Sequence, residues 1–335
     1  GEPQGAGACP AGHPLQHTEA PSPSSISCDV CGDGVPGGAP VRCCRPCNYD
    51  VCRACVDEPN PEQRRAGKFR QRLRSYTSQA KQYADSGRRA AALRVLPDCL
   101  AIGGGGVAPG DRHVRDLLAW FKGSFFRWTN KPQCATCAKE ADTFEGMAEP
   151  TDEDRSHGAS RVEAYACSTC AAKARFPRYN DPARLLESRN GRCGEWANCF
   201  TLLLASCGYD CRLVVDWTDH VWSEVFLGDR WLHCDPCEGS LSAPMVYEGG
   251  WGKKLTYVVA FSSQEVVDVT PRYVRDWTAT LSRRTLVPET LLETLLQEAD
   301  AAARADAAPP AWRAAEREEL AAMREAARHG SRPEE

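Results

Sequence analysis

A cysteine, a histidine and an aspartate follow one another in contexts that suit each for chemistry. They are Cys193 in Gly191-Arg192-Cys193-Gly194-Glu195-Trp196, His220 in Asp219-His220-Val221-Trp222, and Asp235 in Trp231-Leu232-His233-Cys234-Asp235-Pro236. A thiol becomes a useful nucleophile when a helix N-terminus and a nearby imidazole lower its pKa. Residues 193–207 read as a helix ended by Gly208, so Cys193 stands at its start. Three strand-like runs follow, at 211–217, 220–226 and 231–235. Alternation puts His220, Trp222, Glu224 and Phe226 on one face of the second, and Trp231, His233 and Asp235 on one face of the third. A nucleophile on a helix start, with its base and orienter on neighbouring strands, is the arrangement a Cys-His-Asp triad needs.

The rest of the chain must position these groups. Its 335 residues, 42% of them apolar, allow one large domain with smaller modules. A net charge of -4 gives no overall electrostatic reason to bind nucleic acid or an anionic membrane. No run approaches the ~20 apolar residues of a spanning helix, and the first residues are small and polar rather than signal-like, so a cytoplasmic protein without membrane insertion is expected. Of 19 cysteines, thirteen precede Cys193, and ten of these form C-x-x-C pairs. In a reducing compartment such pairs read as zinc sites, because two thiolates on one tight turn reach the same tetrahedral ion.

Residues 1–58 are too few to bury much core, so metal must hold them together. Cys9 and His13 with Cys44 and Cys47 suit one ion; Cys28 and Cys31 with Cys52 and Cys55 suit a second; Cys43 is spare. The 28–55 portion resembles a ZZ-type zinc finger, notably in Cys44-Arg45-Pro46-Cys47-Asn48-Tyr49-Asp50-Val51-Cys52. Beyond it Phe69, Leu73, Tyr76, Ala80 and Tyr83 recur at helical spacing, with Arg64, Arg65, Lys68, Arg70, Arg72 and Arg74 as a solvated basic face. Gly103 to Gly106 read as a plain loop, and 114–128 as a helical segment whose aromatics pack in the core. An acidic stretch at 140–154 reads as a surface hairpin or loop, 257–270 as two more strands, and Pro288 as the opening of a helix carrying Leu291, Leu292, Leu295 and Leu296.

In order and number, these motifs resemble those of the cytosolic peptide:N-glycanases, a transglutaminase-like branch of the papain-like cysteine enzymes. The match covers about residues 65–285. It includes Leu118-Ala119-Trp120-Phe121-Lys122, Phe125-Phe126-Arg127-Trp128-Thr129-Asn130-Lys131-Pro132, the pairs at Cys134 and Cys167, Phe176-Pro177-Arg178-Tyr179-Asn180-Asp181-Pro182, the three triad segments, and Val267-Asp268-Val269-Thr270-Pro271-Arg272-Tyr273.

The resemblance implies an α+β core of the papain-like, transglutaminase-like kind. Residues 59–130 would be its helical part, 131–175 a four-cysteine zinc subdomain, 176–285 the catalytic core and 286–335 C-terminal helices and a tail. It implies that Cys193, His220 and Asp235 hydrolyse the amide joining Asn to the innermost N-acetylglucosamine of N-glycans on misfolded glycoproteins. The indole of Trp128 would help bind the oxyanion, Arg212, Trp222, Glu224, Trp231 and Glu238 would line a sugar cleft, and Cys134, Cys137, Cys167 and Cys170 would hold one structural zinc. Proteasome-shuttle or ubiquitin-linked proteins are implied as partners. The remaining cysteines, Cys99, Cys199, Cys207, Cys211, Cys234 and Cys237, read as small buried hydrophobes, and His113, His157 and His233 have no evident partner. Because thiol, imidazole and carboxylate also serve peptide cleavage and transamidation, a protease or transamidase remains an alternative. So does an adaptor working through its zinc module.

Overall fold

The computed structural model describes residues 8–9, 11–22, 26–31, 33–57, 60–102, 108–305 and 307–328. Residues 23–25 of the Pro/Ser stretch Pro21 to Ser25, the glycine run at 103–106 and His329 lie outside them. The chain falls into two compact units, residues 1–72 with 286–292, and 73–285 with 293–335.

In the first unit, β1 (Gln16–Glu19), β2 (Pro40–Cys44) and β3 (Tyr49–Cys52) form an antiparallel sheet followed by the short helix α1 (Arg53–Asp57). Its core is small, with Ala20, Cys28, Val35, Val51 and Cys55 at the centre.

α2 (Pro61–Lys81) buries Phe69, Leu73 and Ala80 at i, i+4 and i+11, and Tyr83 just beyond its end continues the stripe. α3 (Ser86–Leu93) is capped by the Asp85 side chain. The helical reading of 114–128 is corrected. α4 (Asp111–Trp120) gives way to a π-helical turn at Phe121–Phe125, and the chain then extends into β4 (Arg127–Trp128). The physical reason is pairing: β4 runs parallel to β8 (Asn190–Gly191), with the Arg127 N–H donating to Arg189 O and the Thr129 N–H to Gly191 O. Phe121, Phe125 and Phe126 stay in the core, whereas Trp128 is 49% exposed.

The acidic stretch holds β5 (Thr143–Ala148) and a single capped helical turn, α5 (Asp152–Ser156). β5 joins β6 (Val162–Ala166) and β7 (Lys173–Pro177) in an antiparallel sheet. α6 (Pro182–Ser188) leads through β8 to α7 (Cys193–Ser206), whose C-terminal Gly208 takes φ +83°. The main sheet is antiparallel and six-stranded, in the order β12 (Ser240–Leu241), β11 (Arg230–Asp235), β10 (His220–Leu227), β9 (Cys211–Asp216), β13 (Val258–Phe261), β14 (Val266–Asp268). α7 is apolar nearly all round and lies on this sheet, the Thr201 and Ser223 hydroxyls sharing a 2.8 Å hydrogen bond between them. α8 (Thr270–Tyr273), α9 (Trp277–Arg283), α10 (Glu289–Arg304) and α11 (Arg313–Arg328) complete the chain. α11 adds Leu320 and Ala327 to a core with Trp222, Tyr247, Tyr273 and Trp277. No helix among the described residues is long and apolar enough to cross a membrane.

Candidate active site

The start of α7 is built with care. Gly191 precedes it because any Cβ there would come 2.3 Å from Glu195 Cβ. Glu195 folds back to accept the Arg192 N–H at 2.9 Å, and Arg178 holds that carboxylate with two bonds of 2.6 and 2.8 Å. The helix therefore begins at Cys193, whose half-buried thiol is an electrostatic neighbour of the His220 imidazole. The other side of the imidazole is fixed: His220 Nε2 lies 2.8 Å from Asp235 Oδ2, which leaves Nδ1 for the thiol.

Asp235 is fully enclosed and fully partnered. Its Oδ1 accepts the N–H groups of Cys237 at 2.8 Å and Glu238 at 3.3 Å, and its Oδ2 also accepts the Tyr247 hydroxyl at 2.8 Å. His233 stands behind Tyr247. Its Nδ1 accepts the Ala243 N–H at 3.3 Å, so the proton is on Nε2, which donates to the Tyr247 oxygen at 2.7 Å. The result is a continuous line of donors from His233 through Tyr247 to the carboxylate that orients His220. Burial holds His233 down at about 4, so it is neutral at physiological pH. His113 is partnered too, by Tyr209 at 2.8 Å and Leu100 O at 3.0 Å, and His157 lies 3.5 Å from Asp181.

For His220 burial works against the imidazolium, but the bond to Asp235 and the nearby Cys193 sulfur outweigh it and raise the group from 6.5 to about 9. Burial likewise opposes charge on Asp235, and the bond from His220 keeps its carboxyl below the usual range. A histidine raised in the folded state stabilises it fully below the unfolded pKa of 6.5, and that contribution is lost as pH rises through about 9. Wild-type protein should therefore lose unfolding free energy between pH 6.5 and 9 relative to His220→Gln, as read by urea unfolding across that range.

Register joins the strand faces that alternation assigned separately. Glu224 lies opposite both Arg212 and His233, and Phe226 opposite Trp231, so His220 and Asp235 share one face of the sheet with Arg212, Trp222, Glu224 and Trp231. That face is closed where the sequence suggested an open cleft. Trp222 and Glu224 are 0% exposed, Arg212 is equally buried, and Trp231 is covered; of the five candidates only Glu238 is exposed. What closes it is α11 and the segment before it. Glu316 contacts both Arg212 and Arg272, while Trp312 lies 5.6 Å from Trp231 and 5.2 Å from Phe226. Arg212 also binds Glu224 at 2.6 Å and Glu265 at 2.7 Å, and its guanidinium stacks 3.9 Å over Trp231. Removing one partner from a buried ionic network strands the others, so Glu316→Ala should cost about 3–5 kcal/mol in chemical denaturation.

The Trp128 indole N–H donates to Asn130 Oδ1 at 2.8 Å. Beside β4 and β8 a cavity of about 580 Å³ is lined by Arg127, Trp128, Lys131, Tyr179 and Asn190 among others. Among the described residues, three clusters of soft donors can hold a metal, each with its ligand atoms within 4.8 Å of one another: Cys9, His13, Cys44 and Cys47; Cys28, Cys31, Cys52 and Cys55; Cys134, Cys137, Cys167 and Cys170. In the last, backbone N–H groups of Cys137 and Thr136 pull the Cys134 thiol down to about 6, as a thiolate ligand requires. Cys199, Cys207 and Cys234 are buried, Cys211 and Cys237 half-buried, and Cys99 is exposed rather than packed. Tyr247, Trp251 and Glu316 belong to this region and carried no motif. The run Val246-Tyr247-Glu248-Gly249-Gly250-Trp251 has no periodicity, and Glu316 lies in an Ala- and Glu-rich helix.

A family model described as the transglutaminase-like superfamily matches residues 142–236, and one described as the Rad4 transglutaminase-like domain matches 217–321. Among curated proteins, the peptide-N(4)-(N-acetyl-beta-glucosaminyl)asparagine amidase of Arabidopsis thaliana is 46% identical over 242 residues, 68% of this chain and 33% of that protein. Proteins of the same name from Gallus gallus and Homo sapiens are 52% and 50% identical over 179 residues, 53% of this chain and 28% and 27% of theirs. The chain thus spans about a third or less of the length of these relatives. A solved structure of Rad4-Rad23 crosslinked to an undamaged DNA aligns over 81% of this chain and 60% of that one at 12% identity with TM-score 0.48, a likeness too slight to bear on function. The superfamily match spans Cys193, His220 and Asp235, and with relatives at 46% and 52% identity the chain carries a transglutaminase-like core of the peptide:N-glycanase kind.

Proposed function

We propose that this chain is an amidase that hydrolyses the bond between an Asn side chain and the innermost N-acetylglucosamine of N-glycans on misfolded glycoproteins. The observation that carries the reading is Cys193 at the start of a buried helix beside His220, which is bonded to Asp235, in a chain 52% identical over 179 residues to an amidase of that name. Cys193 Sγ attacks the side-chain carbonyl carbon. The carbon–nitrogen bond breaks with its electron pair on nitrogen, which takes the proton from His220, and the glycosylamine leaves. Water then attacks the thioester, giving up a proton to His220, and releases Asp on the peptide with the thiol restored. Asp235, held by four donors, keeps the imidazole turned toward the thiol. The Cys193 N–H, one of the unpaired donors of the first helical turn, faces the developing oxyanion. The Trp128 indole joins it by exchanging its bond to Asn130.

The three soft-donor clusters suit zinc in closed four-ligand sites, which stabilise structure and leave no open position for a reacting group. Nineteen free cysteines suit a reducing compartment such as the cytoplasm, and proteasome-shuttle or ubiquitin-linked proteins are the partners this role calls for. The test is incubation with a denatured high-mannose glycoprotein. Conversion of the glycosylated Asn to Asp, read by mass, supports the amidase; cleaved peptide bonds or cross-linked products with the glycans intact overturn it.

A further inference from the structure

The carboxylate that orients His220 is itself oriented from behind. Asp235 Oδ2 receives two donors, His220 Nε2 and the Tyr247 hydroxyl, each at 2.8 Å. A hydroxyl is free to turn, and its single proton serves one acceptor at a time. His233 removes that freedom: with its Nδ1 taken by the Ala243 N–H, its Nε2–H points at the Tyr247 oxygen from 2.7 Å, and the Tyr247 proton is left for Asp235. His233 and Asp235 lie on one face of β11, so the strand pleat itself sets the span that the tyrosine bridges. The bridging ring has no room to swing. Tyr247 is 0% exposed in the turn Val246–Gly250, with Trp222 at 4.3 Å, His220 and Trp251 at 5.2 Å and His233 at 5.4 Å between ring centres. Burial and the Asp235 charge keep its hydroxyl protonated, so it remains a donor.

The consequence for the reaction is one of aim. His220 must serve the thiol through Nδ1 and then the departing nitrogen, while its other nitrogen stays on one carboxylate oxygen. An oxygen shared by two donors at fixed angles holds its place, whereas one held by the imidazole alone follows the imidazole. A misplacement of about 1 Å at a reacting group costs on the order of 100-fold in rate. Resting on the amidase reading for its substrate, we propose that Tyr247 and His233 are positioning residues of the triad: His233 commits the Tyr247 proton to Asp235, and the oxygen so held keeps His220 turned toward Cys193. The groups around the His220 ring are Cys193 at the start of α7, Asp235 on β11, Trp222 on β10, and Tyr247 and Trp251 on the turn that follows β12. Tyr247→Phe takes a proton donor from this set and leaves every formal charge and every ring in place.

The test compares Tyr247→Phe, His233→Leu and His233→Gln with wild type in the full chain. It reads kcat and KM on denatured glycoprotein, and the pH dependence of Cys193 alkylation by iodoacetamide, followed by mass. Tyr247→Phe should lower kcat about 30-fold with KM within about twofold. With one donor gone, the Asp235 charge acts on the imidazolium less shared, so the alkaline step of the alkylation profile, where His220 gives up its proton, should move up by about one pH unit. His233→Gln keeps an acceptor for the Ala243 N–H and a donor for the Tyr247 oxygen, so it should cost about threefold in kcat where His233→Leu, which has neither, costs about 30-fold. An unmoved alkaline step in Tyr247→Phe overturns the proposal, as does a loss confined to KM or an equal loss in His233→Gln and His233→Leu. Should Tyr247→Phe fail to fold by circular dichroism, the two His233 variants decide it in the same way. Alkylation needs no glycan. If wild-type protein leaves glycosylated Asn unchanged, the amidase reading fails, and the alkylation profiles of the variants still support or overturn this assignment.

Discussion

Cys193→Ala is expected to leave no measurable conversion of glycosylated Asn to Asp, a loss on the order of 10⁴- to 10⁶-fold, while the protein stays folded. The thiol is half-buried at the first residue of α7 and bears no packing load comparable to Phe121, Trp196 and Phe200 behind it. His220→Ala should be of similar severity, because without the imidazole neither attack by the thiol nor protonation of the leaving nitrogen is assisted. The double variant should be little worse than either single one, since members of a triad act as a unit. The measurement is single-turnover deglycosylation of a denatured glycoprotein, with circular dichroism to establish folding. Substantial turnover by folded Cys193→Ala protein would sink the mechanism.

The second large effect is expected at Cys134, Cys137, Cys167 and Cys170. Zinc bound by four thiolates contributes roughly 10–16 kcal/mol in small metal-folded units, and the sheet β5–β6–β7 has a modest core of Ala141, Tyr165 and Phe176 beside the ligands. Cys167→Ser should therefore lose one equivalent of metal and unfold this sheet. Its consequences reach the active site through Glu163 on β6, whose carboxylate holds Arg192 at 2.7 and 2.8 Å immediately before Cys193. Metal content by mass spectrometry, melting temperature and deglycosylation rate should fall together. Full activity in a protein that has lost this metal would show that the sheet does not support the start of α7.

Much of the site was legible in the sequence because its signals are local. A glycine, a polar turn and an apolar run mark the start of α7, alternation marks β9, β10 and β11, and the C-x-x-C spacing marks each pair of thiols. The spacing of the donors in the N-terminal module suggested two ligand sets, and the structure brings Cys9 and His13 near Cys44 and Cys47, and Cys28 and Cys31 near Cys52 and Cys55. The helical reading of 114–128 went wrong at its end for a non-local reason. The aromatic spacing continues, but hydrogen bonds from β4 to a segment some sixty residues away draw the backbone into a strand.

By itself the sequence determined which residue types stand at helix starts, on strand faces and on tight turns, and therefore that a thiol, an imidazole and a carboxylate were available. Tertiary structure alone decided what surrounds them. Arg212 and Glu224 became a sealed ionic core because Glu316, over a hundred residues from Arg212 in the chain, supplies the remaining charge. Tyr247 and His233 came to stand behind Asp235, and Trp251 came to stand bare beside His220. Periodicity records how a segment faces its nearest neighbours; burial and charge pairing depend on what folds over it from elsewhere, and no local pattern encodes that.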